Sequence, residues 1–158
     1  MSVLAAVRPD SWNFPLFLHV LGAMVLVGAL LTAFAAQVVG WGKDSVGGAT
    51  LSRLTFRTLL IAAIPAWIVM RIGAEWIYSK ENWADVPDEP SWLGVGYITA
   101  DLGGLLLLVA TILAGVGARR QSRTEGGTSA LARSAAVLAL IALVAYLVAV
   151  WAMSAKPD

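Results

Sequence analysis

The sequence predicts an all-α membrane protein, a bundle of four transmembrane helices, and three observations lead to this fold class. Of the 158 residues, 59% are hydrophobic and 13% are charged, and the mean hydropathy is +0.78. The charged share is about half that of an ordinary soluble domain, so the folded chain could not cover itself with polar groups in water. The apolar residues also form four runs of the roughly 20 residues that a spanning helix needs. These runs lack the two-residue alternation of membrane barrel strands.

Each apolar run predicts one helix, and the four helices make a single domain of residues 1–158. The predicted helices cover about 14–39, 54–78, 93–117 and 131–153. The connecting segments are too short to hold a soluble domain, so consecutive helices are expected to be antiparallel neighbours.

Packing signals differ from helix to helix. The first and third helices contain small residues, including Gly22, Gly103 and Gly104, that allow close approach of a neighbouring backbone. Pro65 in the second helix should free the carbonyl of Ile61 and kink the helix. The fourth helix has alanines at intervals of three and four residues, which predict a packing face: Ala135, Ala139, Ala142, Ala145, Ala149 and Ala152.

Lysine and arginine are unequally divided between the two sides of the predicted bundle. Loops 40–53 and 118–130, with the adjoining helix ends, hold seven: Lys43, Arg53, Arg57, Arg119, Arg120, Arg123 and Arg133. The opposite side holds three: Arg8, Lys80 and Lys156. Because basic residues concentrate in cytoplasmic loops, both basic loops are predicted to be cytoplasmic. Both termini then lie outside, an N-out/C-out arrangement in the plasma membrane.

Four ionisable residues fall inside the predicted spans, where charge is costly unless it is paired or hydrated. They come from three helices: His19, Arg71, Glu75 and Asp101. At about 1.5 Å of rise per residue, all four lie roughly 5–12 Å below the outer interface. The outer half of the bundle is therefore predicted to be polar, whereas the inner half holds no acidic residue within the spans.

Spacing and depth suggest how these residues pair. Arg71 and Glu75 are four residues apart and share one helix face. Asp101 matches the depth of Arg71, and His19 matches that of Glu75. We therefore expect Asp101 to pair with Arg71, Arg71 with Glu75, and Glu75 with His19. Residues close enough in depth to join this network are Asn13, Thr99, Tyr78 and Tyr97.

Two interpretations of this network are open. In the first, the charges neutralise one another and fix the register of the helices, as buried ionic groups can do without any chemical role. In the second, the network lines a cavity that opens to the outside and binds a small ligand, a metal or a proton. A histidine beside a carboxylate can also titrate near neutrality.

The amino-acid composition restricts the kinds of binding site that the chain can form. The absence of cysteine excludes disulfides and thiolate metal sites. No phosphate-binding glycine loop or nucleic-acid motif is present, so no nucleic-acid partner is expected. Copper would use His19 with Glu75, Asp101 and a methionine such as Met24 or Met70. Haem ligated by two histidines would need two copies of the chain meeting at His19.

The segment Phe17–Gly28, with its Leu-His-Val-Leu-Gly-Ala run, resembles the first helix of small bacterial membrane proteins of the copper-resistance D type and related uncharacterised integral membrane families. The resemblance covers about a dozen residues. It implies a helical bundle in which His19 is a copper or haem ligand. The length and the alanine-rich fourth helix are typical of a bacterial protein.

The sequence therefore supports three functional hypotheses. The first is a small membrane protein whose outward-facing polar pocket, built from His19, Arg71, Glu75 and Asp101, binds a small ligand, metal or proton. The second is an accessory subunit of a larger membrane complex of the respiratory type, packed against other subunits or a second copy. The third is a membrane enzyme that acts on a lipid or quinone headgroup, with His19 and a carboxylate as acid and base.

Overall fold

The computed structural model describes residues 10–43, 45–82, 87, 90–121 and 129–156. A 3₁₀ turn at Asp10–Trp12 leads into α1. The elements that follow are α1 (Asn13–Trp41), α2 (Ser45–Thr58), a π-helical segment (Leu59–Ala63), α3 (Ile64–Glu81), α4 (Ser91–Gln121) and α5 (Ala130–Ala155). Some charged residues used in the sequence analysis, Arg8 and Arg123, lie outside the described residues.

The prediction of four apolar helices is confirmed. Four helices are long and apolar enough to cross a membrane: Asp10–Trp41, Val46–Glu81, Ser91–Gln121 and Ala130–Ala155. All extend beyond their predicted bounds. The largest difference is in the second, which begins at Ser45 in the structure, so the segment predicted as loop 40–53 is mostly helical. This added segment is amphipathic, burying Gly48, Ser52 and Thr55 while exposing Arg53 and Arg57. A search for continuous apolar runs therefore passes over it.

The helices pack in a ring. The second helix (α2 to α3) and α5 both pack against α1, and α4 packs against α5 and α2. The ring is least closed between α3 and α4, because these two helices have few contacts with each other. One end of the bundle, called the acidic end below, holds Asp10, Glu75, Glu81 and Asp101. The opposite end, called the basic end, holds Arg53, Arg57, Arg119, Arg120 and Arg133.

The core is built from leucine and alanine. Leu26, Leu30, Leu59 and Leu107 are almost fully buried among small side chains. The predicted alanine face of α5 packs as expected at four positions, all buried: Ala135, Ala139, Ala142 and Ala152. Small residues let α4 and α5 approach closely, and this is the most extensive helix pair in the bundle.

The irregularity predicted at Pro65 takes the form of a π-helical segment. Residues Leu59–Ala63 form it just before the proline, and the Ile64 N–H donates to the Leu59 carbonyl. A proline cannot donate to the carbonyl four residues earlier, and an inserted wider turn is one way for a helix to accommodate it. The π segment also divides the second helix into α2, which packs on α4, and α3, which diverges from it.

Candidate functional site

Two glycines bring α1 and α3 into backbone contact near the acidic end. A Cβ atom built on Gly22 would lie 2.5 Å from Met70 N, and one built on Gly73 would lie 2.5 Å from His19 N. No side chain fits at either position. The contact therefore depends on glycine, and it holds the first turns of α1 directly against α3.

This close approach determines the partner of His19. The imidazole Nδ1 lies 3.0 Å from the carbonyl oxygen of Met70. Because a carbonyl can only accept, Nδ1 carries the proton of the neutral ring, and Nε2 keeps a free lone pair. The predicted pairing of His19 with Glu75 is wrong: no hydrogen bond or ion pair joins them among the described residues, because the glycine contact makes a backbone acceptor available.

Arg71 occupies the centre of the charged group. Its Nη2 atom lies 3.1 Å from Glu75 Oε1 and 3.2 Å from Asp101 Oδ1. Both pairings predicted for Arg71 are thereby confirmed. The Asp101 pairing joins α3 to α4 where these helices otherwise meet sparingly. We call these three residues the charged triad.

The charged triad lies at the edge of the bundle. The Arg71 side chain is 25% exposed, whereas those of Glu75 and Asp101 are 52% and 63% exposed. With one positive and two negative groups, the triad carries a net charge of −1 when both carboxylates are ionised. The two carboxylates thus present negative charge at the opening between α3 and α4.

Aromatic side chains cover the arginine. The guanidinium carbon of Arg71 lies 4.7 Å from the centre of the Tyr97 ring, and Tyr97 meets Tyr78 edge to face at 5.6 Å. Tyr78 and Tyr97 therefore join the network as predicted. The Asn13 side chain instead donates to Asp10 at 3.4 Å. Stacking on Tyr97 orients the guanidinium and adds a cation–π attraction.

A cavity of about 710 Å³ lies inside the acidic end of the bundle. All four membrane-length helices contribute to its wall, which is mostly apolar. His19 and Arg71 line it, but Glu75 and Asp101 do not. The sequence-predicted site residues therefore separate into two cavity residues and two carboxylates outside it. The apolar wall includes Val20 and Met24 of α1 together with Leu147 and Val150 of α5, which are also exposed on the outside of the bundle.

Sequence reasoning missed Tyr146, which lines the same cavity from α5. The residue is 4% exposed, and its hydroxyl has no hydrogen-bond partner among the residues that the structure describes. The ring lies against Gly103, and the nearby Trp67 indole N–H donates to the Ala100 carbonyl at 2.9 Å. An unpartnered buried hydroxyl is uncommon and calls for an explanation. One signal was available, since Tyr146 is the sole tyrosine of α5 and lies within its long apolar stretch.

The histidine and carboxylates of the copper site considered from the sequence do not come together. No group of three or more histidine, aspartate and glutamate side chains comes together within the described ranges. The reason is geometric: Arg71 binds both carboxylates, and His19 uses one ring nitrogen on Met70. His19 therefore offers one imidazole nitrogen without either carboxylate, and a haem with two histidine ligands would still need a second copy of the chain.

A second polar cluster, at the basic end, was not predicted. Ser52 donates to Gln121 Oε1 at 2.8 Å, and the Gln37 amide lies 3.4 Å from Ser52 Oγ. Thr55 donates to the Ala33 carbonyl at 3.2 Å. All four side chains are almost fully buried and uncharged. They connect α1, α2 and α4, so the half of the bundle at the basic end is less uniformly apolar than the sequence suggested.

Comparisons with protein family models, with characterised proteins and with solved structures give no match to this chain. The class of protein is therefore defined by its fold and its site. The chain is a helical bundle with four helices of membrane-spanning length and composition. Its acidic end holds a largely apolar cavity flanked by a charged triad.

Proposed function

We propose that the protein is a multi-pass membrane protein whose cavity binds a small neutral amphiphile, a lipid or quinone with an oxygen-bearing head and an apolar tail. The basic end faces the cytoplasm and the acidic end faces outward, in keeping with the concentration of arginine at one end. Both termini are then outside. The cavity is reached from the outer leaflet.

Helix length supports a position for the site near the membrane boundary. The 31 residues of α4 span about 46 Å at 1.5 Å per residue. A hydrocarbon core of about 30 Å leaves roughly 8 Å of a centred helix beyond each boundary. Asp101, ten residues after Ser91, then lies about 7 Å inside the hydrocarbon. At this depth a bound head group meets the polar side chains while its tail remains in the apolar region.

The observation that carries the proposal is the composition of the cavity wall. A volume of about 710 Å³ is in the range of small-molecule sites, which are mostly apolar with few polar groups. The polar side chains on this wall include His19, Arg71, Tyr78, Glu81, Tyr97, Tyr146, Ser154 and Lys156, and the proposal uses His19, Arg71 and Tyr146. His19 Nε2 accepts a hydrogen bond, the Arg71 N–H groups not used by the carboxylates donate, and the tyrosine hydroxyl does either.

Charge favours a neutral head group over an anionic one. Arg71 is already neutralised by Glu75 and Asp101, and the other two charged residues on the cavity wall, Glu81 and Lys156, have opposite signs, so the site holds no excess positive charge for an anion. Hydroxyl and carbonyl oxygens need no counter-ion and match the donors and acceptor on the wall. Monoacylglycerols and quinones are ligands of this kind.

Photo-crosslinking tests the proposal. The protein is reconstituted in phosphatidylcholine vesicles with a monoacylglycerol that carries a diazirine in its acyl chain, irradiated, and mapped by mass spectrometry. We expect labels at cavity residues such as Met24 and Met153. Ala149→Phe, which fills the cavity, should reduce them at least severalfold, whereas Ala35→Phe, at an exposed position outside it, should not. Labels spread evenly over all exposed apolar positions, unchanged by Ala149→Phe, would overturn the proposal.

The exposed carboxylates favour a second candidate, an accessory subunit of a larger membrane complex. An aspartate side chain 63% exposed within a span is costly in lipid unless water or another protein surface covers it. A neighbouring subunit, or a second copy of the chain, would cover Asp101 and Glu75 with a hydrogen-bonding or basic group. Mass measurement by light scattering after gentle detergent extraction tests this. A larger assembly that Asp101→Asn dissociates supports the subunit role, and a monomer in both cases opposes it.

A further inference from the structure

The basic end of the bundle contains a second, smaller cavity between α2 and α4. It has a volume of about 280 Å³ and is lined by three arginines, Arg53, Arg57 and Arg119, around Phe56, Gly115 and Ala118. Arg53 and Arg57 are four residues apart, so they lie on one face of α2. Arg119 reaches the same cavity from α4.

Phe56 provides a fixed floor between the arginines. A Cβ atom built on Gly115 would lie 2.9 Å from Phe56 Cε2, so the ring rests directly on the backbone of α4. The missing side chain at Gly115 makes room for the ring and draws the two helices together. The arginine side chains therefore surround an apolar ring that is held in place between two helices.

Positive charge is concentrated at this cavity. Arg53 and Arg57 form no ion pair with any residue in the described part of the chain. Like charges four residues apart on a helix repel one another. An anion in the cavity would relieve this repulsion, and arginine binds phosphate through two parallel N–H donors.

The surface below the arginines is suited to acyl chains. Towards the centre of the bundle, α2 continues into the π segment with Leu60 and Ile61, which are 44% and 70% exposed. On α4 the corresponding surface is Ile112, at 63% exposure. We call the exposed apolar surface formed by Leu60, Ile61 and Ile112 the seam between α2 and α4. A basic cavity next to this seam matches the two parts of a phospholipid, a charged head and hydrocarbon tails.

We propose that Arg53, Arg57 and Arg119 form a binding site for the phosphate of an anionic phospholipid in the cytoplasmic leaflet. The acyl chains lie along the seam between α2 and α4. The proposal depends on the membrane placement given above, but not on the ligand of the outer cavity. A lipid bound here ties α2 to α4 across the seam at the basic end.

Native mass spectrometry of the full chain in nonionic detergent tests this site. The protein is titrated with palmitoyl-oleoyl phosphatidylglycerol and, separately, with phosphatidylcholine of the same chains. We expect phosphatidylglycerol adducts to dominate. The double variant Arg53→Gln/Arg57→Gln should weaken them by about fivefold for each arginine removed. Excess inorganic phosphate should compete weakly, because it lacks the tails that contact the seam.

The matched control removes the same charge elsewhere at this end. Arg120→Gln/Arg133→Gln changes two exposed arginines that do not line the cavity. It should leave phosphatidylglycerol binding within about twofold of the unmodified protein. Equal losses in both double variants, or equal binding of the two lipids, would overturn the proposal. So would full displacement by inorganic phosphate, which would indicate a free-phosphate site.

A charge-preserving variant covers the case in which the glutamine variant fails to fold. Arg53→Lys/Arg57→Lys keeps both charges but removes the forked donor geometry. A phosphatidylglycerol affinity between that of the unmodified protein and that of the glutamine variant supports arginine–phosphate binding. If the glutamine variant does not fold, an affinity of the lysine variant below that of the unmodified protein supports it. An unchanged affinity overturns it.

Discussion

Gly73 of α3 lies directly against the backbone of His19 in α1: a Cβ atom at Gly73 would lie 2.5 Å from His19 N and 2.9 Å from the Pro15 carbonyl oxygen. The contact holds the imidazole beside the Met70 carbonyl, 3.0 Å away. Helix packing therefore selects the tautomer of the neutral histidine ring, since the bond to Met70 places the ring proton on Nδ1.

Gly73→Ala should separate α1 from α3. Overpacking of this kind costs about 1–3 kcal/mol of unfolding free energy, because the obstructing atoms belong to backbone and cannot rotate away. Thermal unfolding in detergent, followed by circular dichroism, measures the loss. The matched control is Gly94→Ala in the first turns of α4, where no atom beyond its chain neighbours and the helix's own backbone lies within 4 Å of the added Cβ. That variant should be no less stable, since alanine is the better helix former. Equal stability of the two variants would contradict the packing argument.

Removing the central cation should destabilise the charged triad. Arg71→Gln leaves Glu75 and Asp101 without their partner, and we expect a loss of about 1 kcal/mol, limited because both carboxylates are more than half exposed. Arg71→Gln/Asp101→Asn should recover part of the loss, since it also removes an unpaired charge. Unfolding temperatures of the single and double variants form the measurement. A loss of stability in the double variant that exceeds the sum of the losses in Arg71→Gln and Asp101→Asn would oppose this description.

Sequence reasoning succeeded where a side chain had a side-chain partner. The Arg71–Glu75 pairing follows from four-residue spacing, and the Arg71–Asp101 pairing follows from equal depth in adjacent helices. Both arguments use position along a helix, which sequence gives directly. The cost of isolated charge in a membrane then leaves few alternatives.

Sequence reasoning failed where a side chain bonds to the backbone of another helix, or where a helix extends beyond its apolar run of residues. The Met70 carbonyl reaches His19 because two glycines bring the helices into contact, and no pattern of polar residues indicates that approach. Ser52 and Gln121 lie in helix ends whose mixed polarity resembles a loop. Hydropathy identifies the part of a helix that lipid favours, whereas the helix itself ends where its backbone hydrogen bonds end.

Tyr146→Phe tests whether the buried hydroxyl serves the fold or a ligand. Without ligand the hydroxyl has no partner among the described residues, so its removal should leave stability unchanged or raise it by up to about 1 kcal/mol. Trp67→Phe is the contrast, because it removes a hydrogen bond to the Ala100 carbonyl and should cost about 1 kcal/mol. If the hydroxyl binds the amphiphile, Tyr146→Phe should also weaken photo-crosslinking of the monoacylglycerol probe. A large loss of stability in Tyr146→Phe would instead indicate a structural partner.

Ser52 offers the sharpest test of the polar cluster at the basic end. Its hydroxyl lies between two buried amides, donating to Gln121 and lying 3.4 Å from the Gln37 amide nitrogen. Ser52→Ala leaves polar atoms of both glutamines buried without that partner, which should cost about 1–3 kcal/mol. Ser134→Ala, at an exposed position in α5, makes the same chemical change and should have almost no effect. Because the cluster joins α1, α2 and α4, its loss should also increase hydrogen exchange in α2, measured by mass spectrometry in detergent. Unchanged exchange in α2 would mean that apolar packing alone holds this end of the bundle together.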